Sequence, residues 1–202
     1  MDIQTDDNGR SRCGWCGTDA SYRDYHDEEW GRPTADDQRL FEKVCLEGFQ
    51  CGLSWLTILR RREGFRKAFH DFDIDAVAAM TADDVKRLVL DKSIIRHRGK
   101  IEATIHNAGR AAEMRQSEGS LAAFFWSYEP AGSQPIHSHA DVPAITDQSQ
   151  AMSGELKRRG WKFVGPTTCY AFMQSIGIVN DHLTGCDDHG RVEQLRENFV
   201  RP

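Results

Sequence analysis

No apolar run in this chain approaches a bilayer span; the longest, such as Leu121 to Trp126, fall far short of the ~20 residues a membrane helix needs. No charged-then-apolar leader opens it either. These absences predict a soluble intracellular protein with no membrane partner. A surplus of positive charge is also missing. Twenty-six Lys and Arg face 31 Asp and Glu, a net charge of −5. That balance speaks against a protein that coats nucleic acid, because phosphate binding leaves a basic footprint. Six cysteines would permit disulfides. The secretory leader and short length that favour a disulfide framework are lacking, so reduced thiols are expected, some free to bind metal. No strand-like run competes strongly, and no internal repeat occurs.

What is present is a helical pattern. At 202 residues the chain can bury one core, as a single domain or two tightly packed lobes. From Asp36, the spacing of Leu40, Phe41, Val44 and Cys45 fits one helical face, and Leu53, Leu56 and Leu59 suggest a second stretch after Gly52. Thr81 with Asp84 resembles a capping box ahead of Val85, Leu88 and Val89. Ile101, Ile105, Ala108 and Ala112 mark a further helix ending near Gly119. Residues 127–145 hold three prolines and one glycine without periodicity, and read as a long functional or mobile loop. A helix over Asp147 to Arg159 stops at Gly160, and Pro166 opens another that runs to Gly177. The expected fold class is all-α. Residues 1–11, polar and Asp-rich, read as a flexible tail, 12–186 as the helical domain, and 187–202 as a partly helical tail.

The average charge hides clusters at Arg60-Arg61-Arg62 with Arg66 and Lys67, at Arg96-His97-Arg98 with Lys100, and at Lys157-Arg158-Arg159 with Lys162. These are either solvated helix faces or parts of one basic surface.

Three constellations carry chemistry. Cys13, His26, His182 and Cys186 are thiol and imidazole donors of the kind a closed tetrahedral Zn²⁺ takes, leaving no site for a substrate water. Cys16 forms a C-x-x-C with Cys13, which could equally be a ligand pair or redox motif. The stretch Trp161 to Thr168 makes an apolar-Gly turn before a helix. It would aim Val164, Gly165, Thr167 and Thr168 backbone groups at an anion beside Lys162, or else be an ordinary helix–helix corner. In Leu46 to Trp55, Glu47 sits amid apolar residues and two glycines. A carboxylate held there could accept hydrogen bonds from a base's amino group, with Tyr25, Trp30 and Trp55 supplying ring faces. The alternative is an exposed Glu47 beside core aromatics.

Taken together, these segments resemble the 3-methyladenine DNA glycosylase I family. The likeness is carried by Arg12-Cys13-Gly14-Trp15, Tyr25-His26-Asp27-Glu28-Glu29-Trp30-Gly31, Cys45-Leu46-Glu47-Gly48 and Gly52-Leu53-Ser54-Trp55. It continues through Ile94-Ile95-Arg96-His97-Arg98-Gly99-Lys100-Ile101, Phe163-Val164-Gly165 and Asn180-Asp181-His182, covering about residues 12–186. The resemblance implies a helix-hairpin-helix superfamily fold whose DNA-binding hairpin spans Phe163 to Thr168. It also implies one structural zinc on Cys13, His26, His182 and Cys186, tying the N- and C-terminal segments together. The base pocket would contain Tyr25, Glu47 and Trp55, with Glu47 as its catalytic acid. The implied partner is alkylated double-stranded DNA bound by a monomer, and the implied product is 3-methyladenine. Methylation at N3 makes the base cationic and already a good leaving group. The enzyme then has to extrude the nucleotide, select the charged base and stabilise oxocarbenium character. No lysine nucleophile is evident, so hydrolysis without strand cleavage is expected. Asp181 and Cys16 receive no role. A zinc-stabilised DNA-binding module and an open-zinc metallohydrolase are the competing classes.

Overall fold

A computed structural model describes residues 2–132 and 134–202. Its helices are α1 (Ala20–Glu28), α2 (Asp37–Gln50), α3 (Trp55–Leu59), α4 (Arg62–Ala68), α5 (Ile74–Ala78), α6 (Ala82–Leu88), α7 (Arg98–Glu118), α8 (Leu121–Trp126), α9 (Asp147–Arg158), α10 (Pro166–Ser175) and α11 (Asp187–Glu197). Among the described residues, none of these is long and apolar enough to cross a membrane.

Helix α2 is the axis of the core. Asp36 caps it by accepting from the Arg39 N–H at 2.8 Å, and its residues from Leu40 to Phe49 are buried. Such all-round burial requires neighbours on every side, and α7, α8 and α10 supply them. Helix α7 starts at the His97 cap and stops at Gly119, whose φ of +86° is the left-handed conformation that ends helices. The capping box at Thr81 and Asp84 opens α6 as its spacing suggested. Helices α9 and α10, joined by the turn at 159–165, pack on each other, and α10 also lies against α2.

Three expectations need correction. A small antiparallel sheet accompanies the helices: β1 (Ile3–Thr5) pairs with β2 (Ser11–Cys13), Ile3 opposite Cys13. Residues 1–11 therefore carry a hairpin where composition suggested a flexible tail. Asp6 closes its turn by accepting from the Asn8 and Arg10 N–H groups, and Gly9 takes φ +82°. Ion pairs from Arg10 to Asp188 and Arg12 to Asp27 dock the hairpin on the helices.

The C-terminal segment is likewise packed rather than appended. Arg196 is buried and donates to the carbonyls of Gly177 and Ile178, while Phe199 lies 4.5 Å from Trp126 between ring centroids. Leu53 is not helical but sits exposed in the turn between α2 and α3. Within 127–145, the loop has a single 3₁₀ turn at His139–Asp141 among the described residues.

Candidate active site

One cavity of about 400 Å³ opens among α1, α2, α3, α10 and the 139–144 loop, and it contains Tyr25, Glu47 and Trp55 together. Glu47 lies one turn before the end of α2. Trp55 is the first residue of α3, placed there because Ser54 caps that helix through the Thr57 N–H. The Tyr25 and Trp55 rings are 5.3 Å apart and tilted by 43°, forming an aromatic wall beside the acid.

Glu47 is 5% exposed, and its carboxyl accepts no hydrogen bond from any described residue. Burial pushes its pKa up to about 8, opposed only by the nearby Lys43 ammonium. Lys43 does not neutralise it because that ammonium is committed elsewhere, to Glu29 at 2.7 Å. Burial would raise the Glu29 carboxyl too, but Lys43 and Arg62, the latter at 2.5 Å, hold it at about 2. The cavity therefore keeps Glu47 neutral when it is empty near pH 7, in a state from which an entering cation would favour release of the proton to solvent.

Several wall residues were not assigned in the sequence: Trp15, Tyr22, Tyr170, Gln174 and Asp181. Thr167, Tyr170 and Gln174 fall at i, i+3 and i+7 on α10, a face that helical periodicity alone could have linked to Glu47. Asp181 accepts from the Tyr170 hydroxyl and the Gln174 amide, both at 2.7 Å and both on the same carboxylate oxygen.

Behind the Trp15 and Trp30 wall lies a buried donor group. Ligand atoms of Cys13, His26 and Cys186 lie within 4.8 Å of one another, a group that could hold a metal ion. His26 Nδ1 is 2.8 Å from the Asp27 carboxylate, which leaves Nε2 facing the Cys186 sulfur at 3.6 Å. His182 stands outside that tight group, but its ring centroid is 4.9 Å from that of His26. Its Nδ1 meets the Asn180 side-chain oxygen at 2.9 Å, while its Nε2 is buried without a partner. Burial and the adjacent His26 hold the His182 pKa down to about 3, so the ring is neutral, the form that binds metal. Sharing a hydrogen bond with Cys13 lowers Cys186 to about 5 and raises Cys13. Cys16 is buried nearby but is not in the group, and burial raises its thiol to about 11. Trp30 lies 4.6 Å from the His182 ring and Trp15 5.3 Å from His26, so the donor group and the cavity share a wall.

The turn between α9 and α10 is pinned from inside. Asn107 on α7 exchanges two 2.9 Å hydrogen bonds with the Lys162 backbone, and Ser153 donates to the Val164 carbonyl at 2.6 Å. The left-handed residues here are Gly160, at φ +86°, and Phe163, at φ +56°, not Gly165. A glycine is needed instead at Gly48, where a Cβ would stand 3.3 Å from the Phe163 Cβ. Gly165 caps α10 without a side chain and Pro166 follows, so the Thr167 and Thr168 N–H groups have no helical acceptor. Val164 is buried, while Lys162, Phe163 and Thr167 are exposed.

Charge pairing sharpens this face. Arg60, Arg62 and Arg66 are tied to Asp19, Glu29 and Glu42, and Arg158 and Arg159 to Glu155. Lys162 and Arg96 have no acidic partner among the described residues.

Known proteins share this fold. "DNA-3-methyladenine glycosylase 1" of Escherichia coli (strain K12) is 51% identical over 179 residues, covering 87% of this chain and 95% of that protein. A solved 3-methyladenine DNA glycosylase I superposes with a TM-score of 0.84 at 49% identity, over 88% of this chain and 99% of that one. Another, a tyrosine-to-phenylalanine variant in complex with 3-methyladenine, gives 0.84 at 36% identity, over 88% and 97%. Sequence and fold shared at this level are those of a DNA glycosylase. With a match to the methyladenine glycosylase model over residues 15–189, the chain belongs to the methyladenine glycosylase family.

Proposed function

We propose that this protein excises 3-methyladenine from alkylated double-stranded DNA, hydrolysing the N-glycosidic bond and leaving an abasic site. The observation that carries the reading is Glu47, a buried acid without a hydrogen-bond partner, beside the Tyr25 and Trp55 rings in a cavity of base size. A family member solved with 3-methyladenine bound supports the choice of base.

The base enters by flipping out of the duplex, because the cavity lies inside the protein. A methylated, cationic adenine favours Glu47 ionisation, so the carboxyl gives up its proton and accepts hydrogen bonds from the base N–H groups. Tyr25 and Trp55 frame the ring, whose positive charge their faces attract. The proton passes to solvent; a neutral base does not favour that ionisation and meets a protonated acid, which is the basis of selectivity. Charge on the leaving group already weakens the glycosidic bond, so Glu47 has little leaving-group protonation to do.

The turn from Phe163 to Thr168 acts as the hairpin of a helix-hairpin-helix unit. The free Thr167 and Thr168 N–H groups, at the positive end of α10, and the Lys162 ammonium face backbone phosphate. Val164 and Gly165 shape that turn. Cys13, His26, His182 and Cys186 hold one Zn²⁺, the orphaned His182 nitrogen supplying the fourth donor to the buried group. Four protein ligands make the ion structural: it ties β2 and α1 to the segment before α11 and braces the Trp15 and Trp30 wall. The enzyme acts as a cytoplasmic monomer. Residues 12–186 form its helical domain, and both ends of the chain pack onto that domain.

Single-turnover release of 3-methyladenine from methylated duplex tests the proposal. Lesion binding without base release would instead favour a DNA-binding module. Activity lost on metal removal from still-folded protein would favour a metallohydrolase.

A further inference from the structure

The Ile94–Ile101 motif has so far been given no task, and its Lys100 is an unusual lysine. It is 7% exposed, and its ammonium faces no carboxylate. Its Nζ donates to two backbone carbonyls, Phe49 at 2.8 Å and Cys51 at 2.6 Å. Both belong to the C-terminal end of α2, where the last carbonyls have no intrahelical donor and the helix dipole favours a cation. Burial lowers the Lys100 pKa.

The turn so held joins two walls of the cavity. It begins just after Glu47, one turn before the end of α2, and ends at Ser54, which caps α3 and starts it at Trp55. Between them the backbone reverses through Gly52 at φ +82°, closed by the Leu53 N–H to the Gln50 carbonyl. The Cys51 sulfur lies 3.4 Å from the Thr168 hydroxyl, so the turn also touches the start of α10. We infer that Lys100 is a positioning residue for base recognition: by clamping the end of α2, it fixes the geometry between the Glu47 carboxyl and the Trp55 ring.

This rests on the glycosylase reading, and the test separates the two. Lys100→Met keeps the stem and removes the clamp. Affinity for free 3-methyladenine and single-turnover release from methylated duplex should both fall by about 10-fold, the low end of one lost charged hydrogen bond because Lys100 acts on the base only through the turn. Metal content and affinity for undamaged duplex should stay at wild-type values, a split that general destabilisation would not give. Gly52→Ala strains the same turn from its other end, and nothing lies within 4 Å of the added Cβ. It should reproduce the split, and the double variant should be no worse than the poorer single one.

Base affinity and release within twofold of wild type in folded Lys100→Met would overturn the inference, as would effects that simply add. Should Lys100→Met fail to fold, Gly52→Ala decides alone: unchanged base affinity there removes the turn from recognition. A wild-type protein that neither binds nor releases the base would sink the glycosylase reading instead.

Discussion

Replacing Glu47 with glutamine should change how stability depends on pH, because the native cavity holds this carboxyl far from its ordinary state. Its pKa rises from 4.5 to about 8 on folding, caused by burial without a hydrogen-bond partner. A folded-state pKa above the unfolded value means that the native protein binds the proton more tightly. The associated stability is full below pH 4.5 and is lost as pH climbs through about 8. At about 1.4 kcal/mol per pH unit the ceiling is roughly 4–5 kcal/mol, and water reaching the open cavity brings it to about 2–4 kcal/mol.

Glutamine keeps the size and cannot ionise. The stability of wild type relative to Glu47→Gln should therefore fall by about 2–4 kcal/mol between pH 5 and pH 9. Other titrating groups cancel in that difference. Urea denaturation of both proteins at half-unit pH steps reads it out. Parallel curves across this range would refute the buried-acid reasoning, since they would mean that Glu47 ionises as freely in the native protein as in the unfolded chain.

Other perturbations follow from the same geometry. One equivalent of zinc should co-purify; Cys186→Ala should lose it and Cys16→Ala should retain it, and elemental analysis of folded, active protein without metal would overturn the site. Lys162→Ala should weaken binding to lesion and undamaged duplex equally and lower the slope of log affinity against log salt by about one, as for one lost phosphate contact. An unchanged slope would remove that lysine from the interface. Trp55→Ala should cost base affinity on the order of 10- to 100-fold, the range of one stacking contact, with zinc retained. Equilibrium dialysis of the free base checks it.

The long periodic helices were legible from sequence because burial imposes a 3.6-residue rhythm. This holds for α2, α7, α9 and α10, whose starts and stops lay within a few residues of their caps. Helices α1, α4, α5 and α8 span nine residues or fewer, too short for a rhythm to stand out, and tertiary packing decides them. The β1–β2 hairpin hid behind a polar composition, because only Ile3 and Cys13 give it apolar anchors and ion pairs from Arg10 and Arg12 supply the rest of its hold on the body.

The residue pattern suggested Tyr25, Glu47 and Trp55 as one site but left an exposed Glu47 open, since they lie on three helices whose mutual packing no local pattern records. Asp181 and Gln174 escaped for the same reason. The basic clusters left two readings open, solvated helix faces or one basic surface. Composition counts arginines, whereas the free charge depends on which of them meet acids across the fold, as Arg62 meets Glu29 and Arg66 meets Glu42.

The most direct test of the whole account is to incubate the protein with N-methylated duplex DNA under single-turnover conditions, identify the released bases, and compare wild type with Glu47→Gln. The account predicts free 3-methyladenine, an intact phosphodiester backbone at the abasic site, and release slowed about 10- to 150-fold by the substitution, the worth of one charged hydrogen bond. Wild-type release of 3-methyladenine by Glu47→Gln would contradict it, and so would lesion binding by the wild-type protein with no base set free.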